Sequence, residues 1–143
     1  MEKISLQEVE FVAFRLAREI MAFSEPIPDF ATRFPNSLES CLAMPFQAFS
    51  GKSLYSGLTS KAAILFYLMI KNHPFQNGNK RIAVSALLYF LHKNGKWMEV
   101  DGKDLYEFAM WVTKSNGRLK KETVLAIEKF LSIHIVELQQ PKG

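Results

Sequence analysis

Two stretches that are apolar on nearly every side, residues 60–72 and 79–94, flank the segment His73-Pro74-Phe75-Gln76-Asn77-Gly78-Asn79-Lys80-Arg81. A helix without a polar face belongs at the centre of a core, not on its surface. Two such helices in succession therefore predict an all-α fold built around them, with the polar segment between them at one end. That segment crowds an imidazole, carboxamides and two cations around Gly78. Gly78 permits a positive φ, and a helix beginning at about Asn79 then points its first N–H groups and positive dipole end into the loop. Lys80 and Arg81 in that first turn oppose the dipole, which makes sense where an anion binds. The segment reads as a phosphate cradle beside His73.

The rest of the chain is consistent with one such core. Its 143 residues are 48% hydrophobic, enough for a single domain and too few to suggest a second. The longest apolar run, Ala62–Ile70, is far short of the roughly 20 residues that span a bilayer. The mixed-charge start Met1-Glu2-Lys3-Ile4-Ser5 lacks the apolar run of a secretory signal, so a cytoplasmic location is expected. The net charge of +4 is spread without a block of like charges, so direct nucleic-acid binding is not expected. Cys41 is the only cysteine and reads as a buried small hydrophobe.

In chain order, Ser5 and Glu8 form a capping-box pattern that opens a helix over about 6–22, with Val9, Val12, Ala13, Leu16, Ala17 and Ile20 at helical spacing. Residues 24–36 read as loop after Pro26 and Pro28, and 37–44 as two helical turns stopped by Pro45. Residues 46–57 mix aromatics with glycines and serines and suit a short hairpin or flap facing a substrate, with Phe49, Gly51, Leu54 and Tyr55 as its residues. Thr59 is the expected N-cap of the helix over 60–72. Asn94-Gly95 ends the helix over 79–94, and residues 97–100 form an extended piece. Amphipathic helices over 103–115 and 119–137 complete an all-α domain with at most one small hairpin.

Histidine suits a general base at neutral pH, and the cations Lys71, Lys80 and Arg81 nearby disfavour a second positive charge on His73. Asn79 and the helix N-terminus can bond phosphate oxygens, while Lys80 and Arg81 can neutralise charge on a transferred phosphoryl group, Arg81 in bidentate fashion. Asn77 offers an amide oxygen to Mg²⁺ or makes hydrogen bonds within the loop. Phe46, Phe49 and Tyr55 read equally as core residues or as a recognition surface. His92 and His134 share no metal-ligand spacing and read as structural, as do Trp97 and Trp111.

The segment from His73 to Arg81 resembles the signature of the Fic/Doc superfamily, His-x-Phe-x-acid-Gly/Ala-Asn-Gly/Lys-Arg, and the resemblance extends over residues 5–134. It implies a helical domain over 1–143 with a small β-hairpin flap. Nucleotidyl-transferring Fic enzymes carry glycine after the motif asparagine and a second arginine three residues after the first; here stand Lys80 and Val84. The chain thus looks like the death-on-curing (Doc) branch, a resemblance that implies transfer of the γ-phosphate of ATP to a Ser or Thr hydroxyl of a target protein. By position, His73 is then the base, Asn77 the metal-ligand position, Gly78, Asn79, Lys80 and Arg81 the phosphate holders, and Phe75 the core anchor. The same resemblance implies ATP and Mg²⁺, elongation factor Tu as target, and a separate antitoxin that restrains the toxin, since the in-chain inhibitory pattern Ser/Thr-x-x-x-Glu-Gly/Asn is absent. Asn77 stands at an acidic position of the motif, and Phe34 where related chains often have aspartate. AMP transfer and a catalytically weak binding protein of the same fold are the alternatives.

Overall fold

The computed structural model describes residues 1–16 and 28–138. The Ser5–Glu8 capping box forms as its spacing predicts and starts α1 at Leu6–Glu8; the helix then widens into a π-helical segment, Val9–Ala13. The later part of the helix expected over 6–22 lies outside the described residues. A 3₁₀ turn at Phe30–Thr32, capped by the Asp29 carboxylate, breaks the stretch read as loop. Helix α2 (Pro35–Ala43) starts two residues earlier than its apolar pattern suggests, because Pro35 fits the first helical position, where no donor is needed. Pro45 does not simply stop it: the chain tightens into a 3₁₀ turn, Met44–Phe46, that includes the proline.

The hairpin is small, β1 (Ala48–Phe49) against β2 (Lys52–Ser53). Ser50 and Gly51 both have positive φ, 52° and 78°, as a two-residue turn matched to the strand twist requires. Helix α3 (Leu58–Lys71) then runs through the middle of the molecule, with every residue from Lys61 to Ile70 buried. Its N-cap is Gly57, at φ 84°, and not Thr59, which falls inside the first turn. Helix α4 (Asn79–Lys93) packs along α3 and is nearly as enclosed. Their all-round apolar faces lie at the core, as the sequence predicts.

Helices α5 (Gly102–Lys114) and α6 (Lys120–His134) cover α3 with single apolar faces. The helix expected to run to residue 137 stops at His134, and β4 (Ile135–Glu137) pairs antiparallel with β3 (Lys96–Met98). Ile135 keeps the apolar spacing of α6, so periodicity alone does not reveal the end. The unpaired edge of β3 and the β-branched pair Ile135-Val136 favour the strand, and Leu138 N–H to the Gly95 carbonyl (3.0 Å) closes it. Among the described residues the fold is all-α with two small antiparallel pairs, one more than the sequence suggests. Cys41 is buried, and burial pushes its thiol up to about 12.

Candidate active site

The site lies in the connection from α3 to α4. Helix α3 ends at Lys71 with Asn72 as its C-cap, and His73 turns the chain with φ 45°, a left-handed conformation uncommon for a residue with a Cβ. Two contacts from the α2 region hold this turn: the Ser37 hydroxyl donates to the Asn72 carbonyl (3.1 Å) and Phe34 N–H donates to the Pro74 carbonyl (2.9 Å). Phe75 anchors the loop. Its ring is 1% exposed and meets Phe14 edge-on at 5.2 Å and Phe30 at 6.3 Å, a cluster that ties the loop to the chain after the π-helical segment and to the Phe30–Thr32 turn. The sequence assigns Phe75 to the core, and it is there.

Gly78 adopts φ 71° and caps α4, whose first hydrogen bond runs from Ile82 N–H to the Gly78 carbonyl (3.0 Å). The amides of the first turn have no intrahelical acceptor, and a glycine brings no side chain to cap them. The positive end of α4 therefore faces the loop that carries exposed His73. Lys80 is half-buried and Arg81 is 7% exposed, and neither residue is without a partner.

Asn79 does something that the sequence does not reveal. Its Oδ1 accepts from Phe75 N–H (3.0 Å), its Nδ2 donates to the Phe75 carbonyl (2.9 Å), and Nδ2 lies 3.5 Å from His73 Nδ1. The carboxamide expected above to bond phosphate is thus turned into the loop. Asn77 behaves differently. Its Oδ1 is buried and has no hydrogen-bond partner, an orphaned acceptor of the kind that native proteins rarely leave. That oxygen suits a hard cation. No group of three or more His, Cys, Asp or Glu side chains that could hold a metal exists among the described residues.

Lys71, two residues before His73, donates to the carbonyls of Thr113 (3.2 Å) and Ser115 (2.5 Å) and so caps the C-terminus of α5. Lys61 is buried in α3, donates to the Tyr55 carbonyl and lies 5.4 Å over the Phe46 ring, which ties the base of the hairpin to the core helix. Nothing in the sequence distinguishes either lysine from a solvated one. Phe46 also meets Phe90 edge-on at 6.0 Å and belongs with the core. Of the hairpin residues, Phe49 is 75% exposed, Gly51 forms the turn, and Leu54 and Tyr55 line a groove of about 620 Å³ with Ile64 and Leu125. Arg118 and Lys121 stand at the same groove. His134 Nδ1 meets the Phe130 carbonyl at 2.8 Å and His92 lies beside Trp97, so both histidines are structural.

The helical domain thus brings a histidine, two cations and a glycine-led helix start together in one turn. The chain belongs to the Fic/DOC family, whose family model matches residues 6–91. It is also similar to the toxin Doc of Mycolicibacterium smegmatis (strain ATCC 700084 / mc(2)155), 38% identical over 64 residues, or 45% of this chain and 49% of that protein. The chain thus spans about half the length of the curated relative it matches. No solved structure matches. Among the described residues no helix is long and apolar enough to cross a membrane.

Proposed function

We propose that the chain is a Doc-like toxin that transfers the γ-phosphate of ATP to a Ser or Thr hydroxyl of a target protein. The observation that carries this reading is exposed His73 beside the start of α4, with Lys80 and Arg81 in the first turn of that helix. The hydroxyl proton passes to His73, the hydroxyl oxygen bonds to the γ-phosphorus, and the bond from phosphorus to the ADP oxygen breaks. First-turn amides of α4, with Lys80 and Arg81, hold the phosphates and offset the charge that accumulates on them. Asn77 Oδ1 would hold Mg²⁺, which supplies further charge neutralisation when bound. Lys80, in place of the glycine of nucleotidyl-transferring relatives, favours phosphoryl over AMP transfer. The hairpin, held at its base by Lys61, presents an edge to which a target segment can add as a strand. Elongation factor Tu as target, a separate antitoxin as partner and the cytoplasm as place of action are what the family resemblance implies.

Incubation with γ-labelled ATP, Mg²⁺ and a bacterial extract tests the reading. A labelled protein is expected with the wild type and none with His73→Ala. No label, or label unchanged by His73→Ala, overturns it, and transfer from α-labelled ATP would replace it with AMP transfer.

A further inference from the structure

The hydrogen bonds of the loop fix more than its shape. The Asn79 carboxamide has one possible orientation, because Oδ1 faces the Phe75 N–H (3.0 Å) and Nδ2 faces the Phe75 carbonyl (2.9 Å). Reversing it would set donor against donor and acceptor against acceptor. Asn79 is 8% exposed, so the bonds are sheltered from water. The amide nitrogen therefore stays where it is, and it is this nitrogen that lies 3.5 Å from His73 Nδ1.

A donor opposite Nδ1 pairs only with a lone pair, and in a neutral imidazole the other nitrogen then carries the proton. We propose that Asn79 is a positioning residue that sets the tautomer of His73, with the proton on Nε2 and the lone pair on Nδ1, facing the start of α4. This rests on the reading of His73 as the base, and it identifies which of its atoms accepts the proton. An attacking hydroxyl must lie between the base and the phosphorus, so the accepting nitrogen has to face the phosphate. With the proton on Nε2, the lone pair on Nδ1 is the one the imidazole has to offer, so a phosphate served by this base would have to lie on that side of the ring. At 3.5 Å the amide contact is long, and an incoming hydroxyl can replace it as the donor to Nδ1. The O–H bond then breaks, Nδ1 takes the proton, and the imidazolium carries a hydrogen on each nitrogen. The left-handed backbone of His73 belongs to the same device, since this conformation is held by the Phe34–Pro74 and Ser37–Asn72 contacts on one side and Asn79 on the other.

Long-range ¹H–¹⁵N correlation spectra of ¹⁵N-histidine-labelled protein at alkaline pH read the tautomer directly. The chain has three histidines, and His73→Ala identifies the relevant signals. The wild type is expected to show His73 protonated at Nε2. Asn79→Asp, which places a carboxylate oxygen opposite Nδ1, is expected to move the proton to Nδ1 and to lower kcat for γ-label transfer about a hundredfold, the scale of general-base catalysis. A wild-type His73 protonated at Nδ1, or an even mixture, overturns the proposal, as does an Asn79→Asp variant with an intact circular dichroism spectrum and an unchanged tautomer. If Asn79→Asp does not fold, the wild-type spectrum decides alone. A wild type with the expected tautomer that labels no protein refutes the phosphotransfer reading and leaves the tautomer assignment standing.

Discussion

Glu8 offers the test in which a magnitude can be worked from the structure. Its carboxylate caps the first turn of α1, with Oε1 accepting from Ser5 N–H (3.0 Å), and reaches across to α4, where Lys93 Nζ donates to Oε1 (2.7 Å) and the Tyr89 hydroxyl to Oε2. Burial works to raise its pKa, but the bonds from Lys93, Tyr89 and Ser5 together outweigh burial and hold the carboxyl at about 2 against an ordinary 4.5. Tyr89 shifts upward in turn, through its bond to Glu8 and then through burial. A folded-state value below the unfolded one means stability that is present above pH 4.5 and is lost as pH falls toward 2. At about 1.4 kcal/mol per tenfold change in proton affinity the difference is on the order of 3 kcal/mol. The side chain is 22% exposed, so screening leaves about 2 kcal/mol. Glu8→Gln keeps the capping geometry and removes the titration. Urea denaturation of both proteins at pH 7 and pH 3 should show the wild type about 2 kcal/mol more stable at pH 7 and most of that advantage gone at pH 3. A constant difference between the two proteins across this range would refute the assignment. The consequence reaches the candidate site, because α1 is followed by Phe14, whose ring packs on Phe75 in the loop between α3 and α4.

Two further outcomes are expected. Gly78→Ala forces a side chain into a φ of 71° and should cost about 1–2 kcal/mol in chemical denaturation, with weaker ATP binding by calorimetry; an unchanged midpoint would show that the cap does not need glycine. The Cys41 thiol, buried and pushed up to about 12, should resist iodoacetamide in the native chain at pH 8, and intact-mass detection of rapid alkylation would contradict the enclosed position.

Where a physical cause was local, the sequence was a sufficient guide. The capping box at Ser5 and Glu8, the all-round apolar helices α3 and α4, and the glycine turn at 78 each depend on residues within a few positions of one another. The misreadings share the opposite property. Gly57 replaces Thr59 as the N-cap of α3 because the chain enters from a hairpin whose path is set by Lys61 and Tyr55. Ile135 leaves the helix because the partner strand β3 lies some forty residues earlier, where no periodicity in α6 can register it. Lys71 becomes a helix cap only when α5 brings Thr113 and Ser115 to its ammonium.

The two asparagines of the motif show how far this principle extends into function. By composition they are alike, and the sequence offered both to the ligand, Asn77 to a metal and Asn79 to phosphate. The structure separates them through their partners: Asn79 has both ends of its carboxamide satisfied by Phe75, while Asn77 keeps a buried oxygen without a donor. A satisfied group is already spent on holding the loop, and an orphaned one costs free energy until something binds it. Whatever ligand the loop accepts should therefore meet Asn77 through its side chain and Asn79 through its backbone. The conformation of Gly78 makes this division possible, since the left-handed turn at that residue sets Asn77 before the helix and Asn79 at its first position.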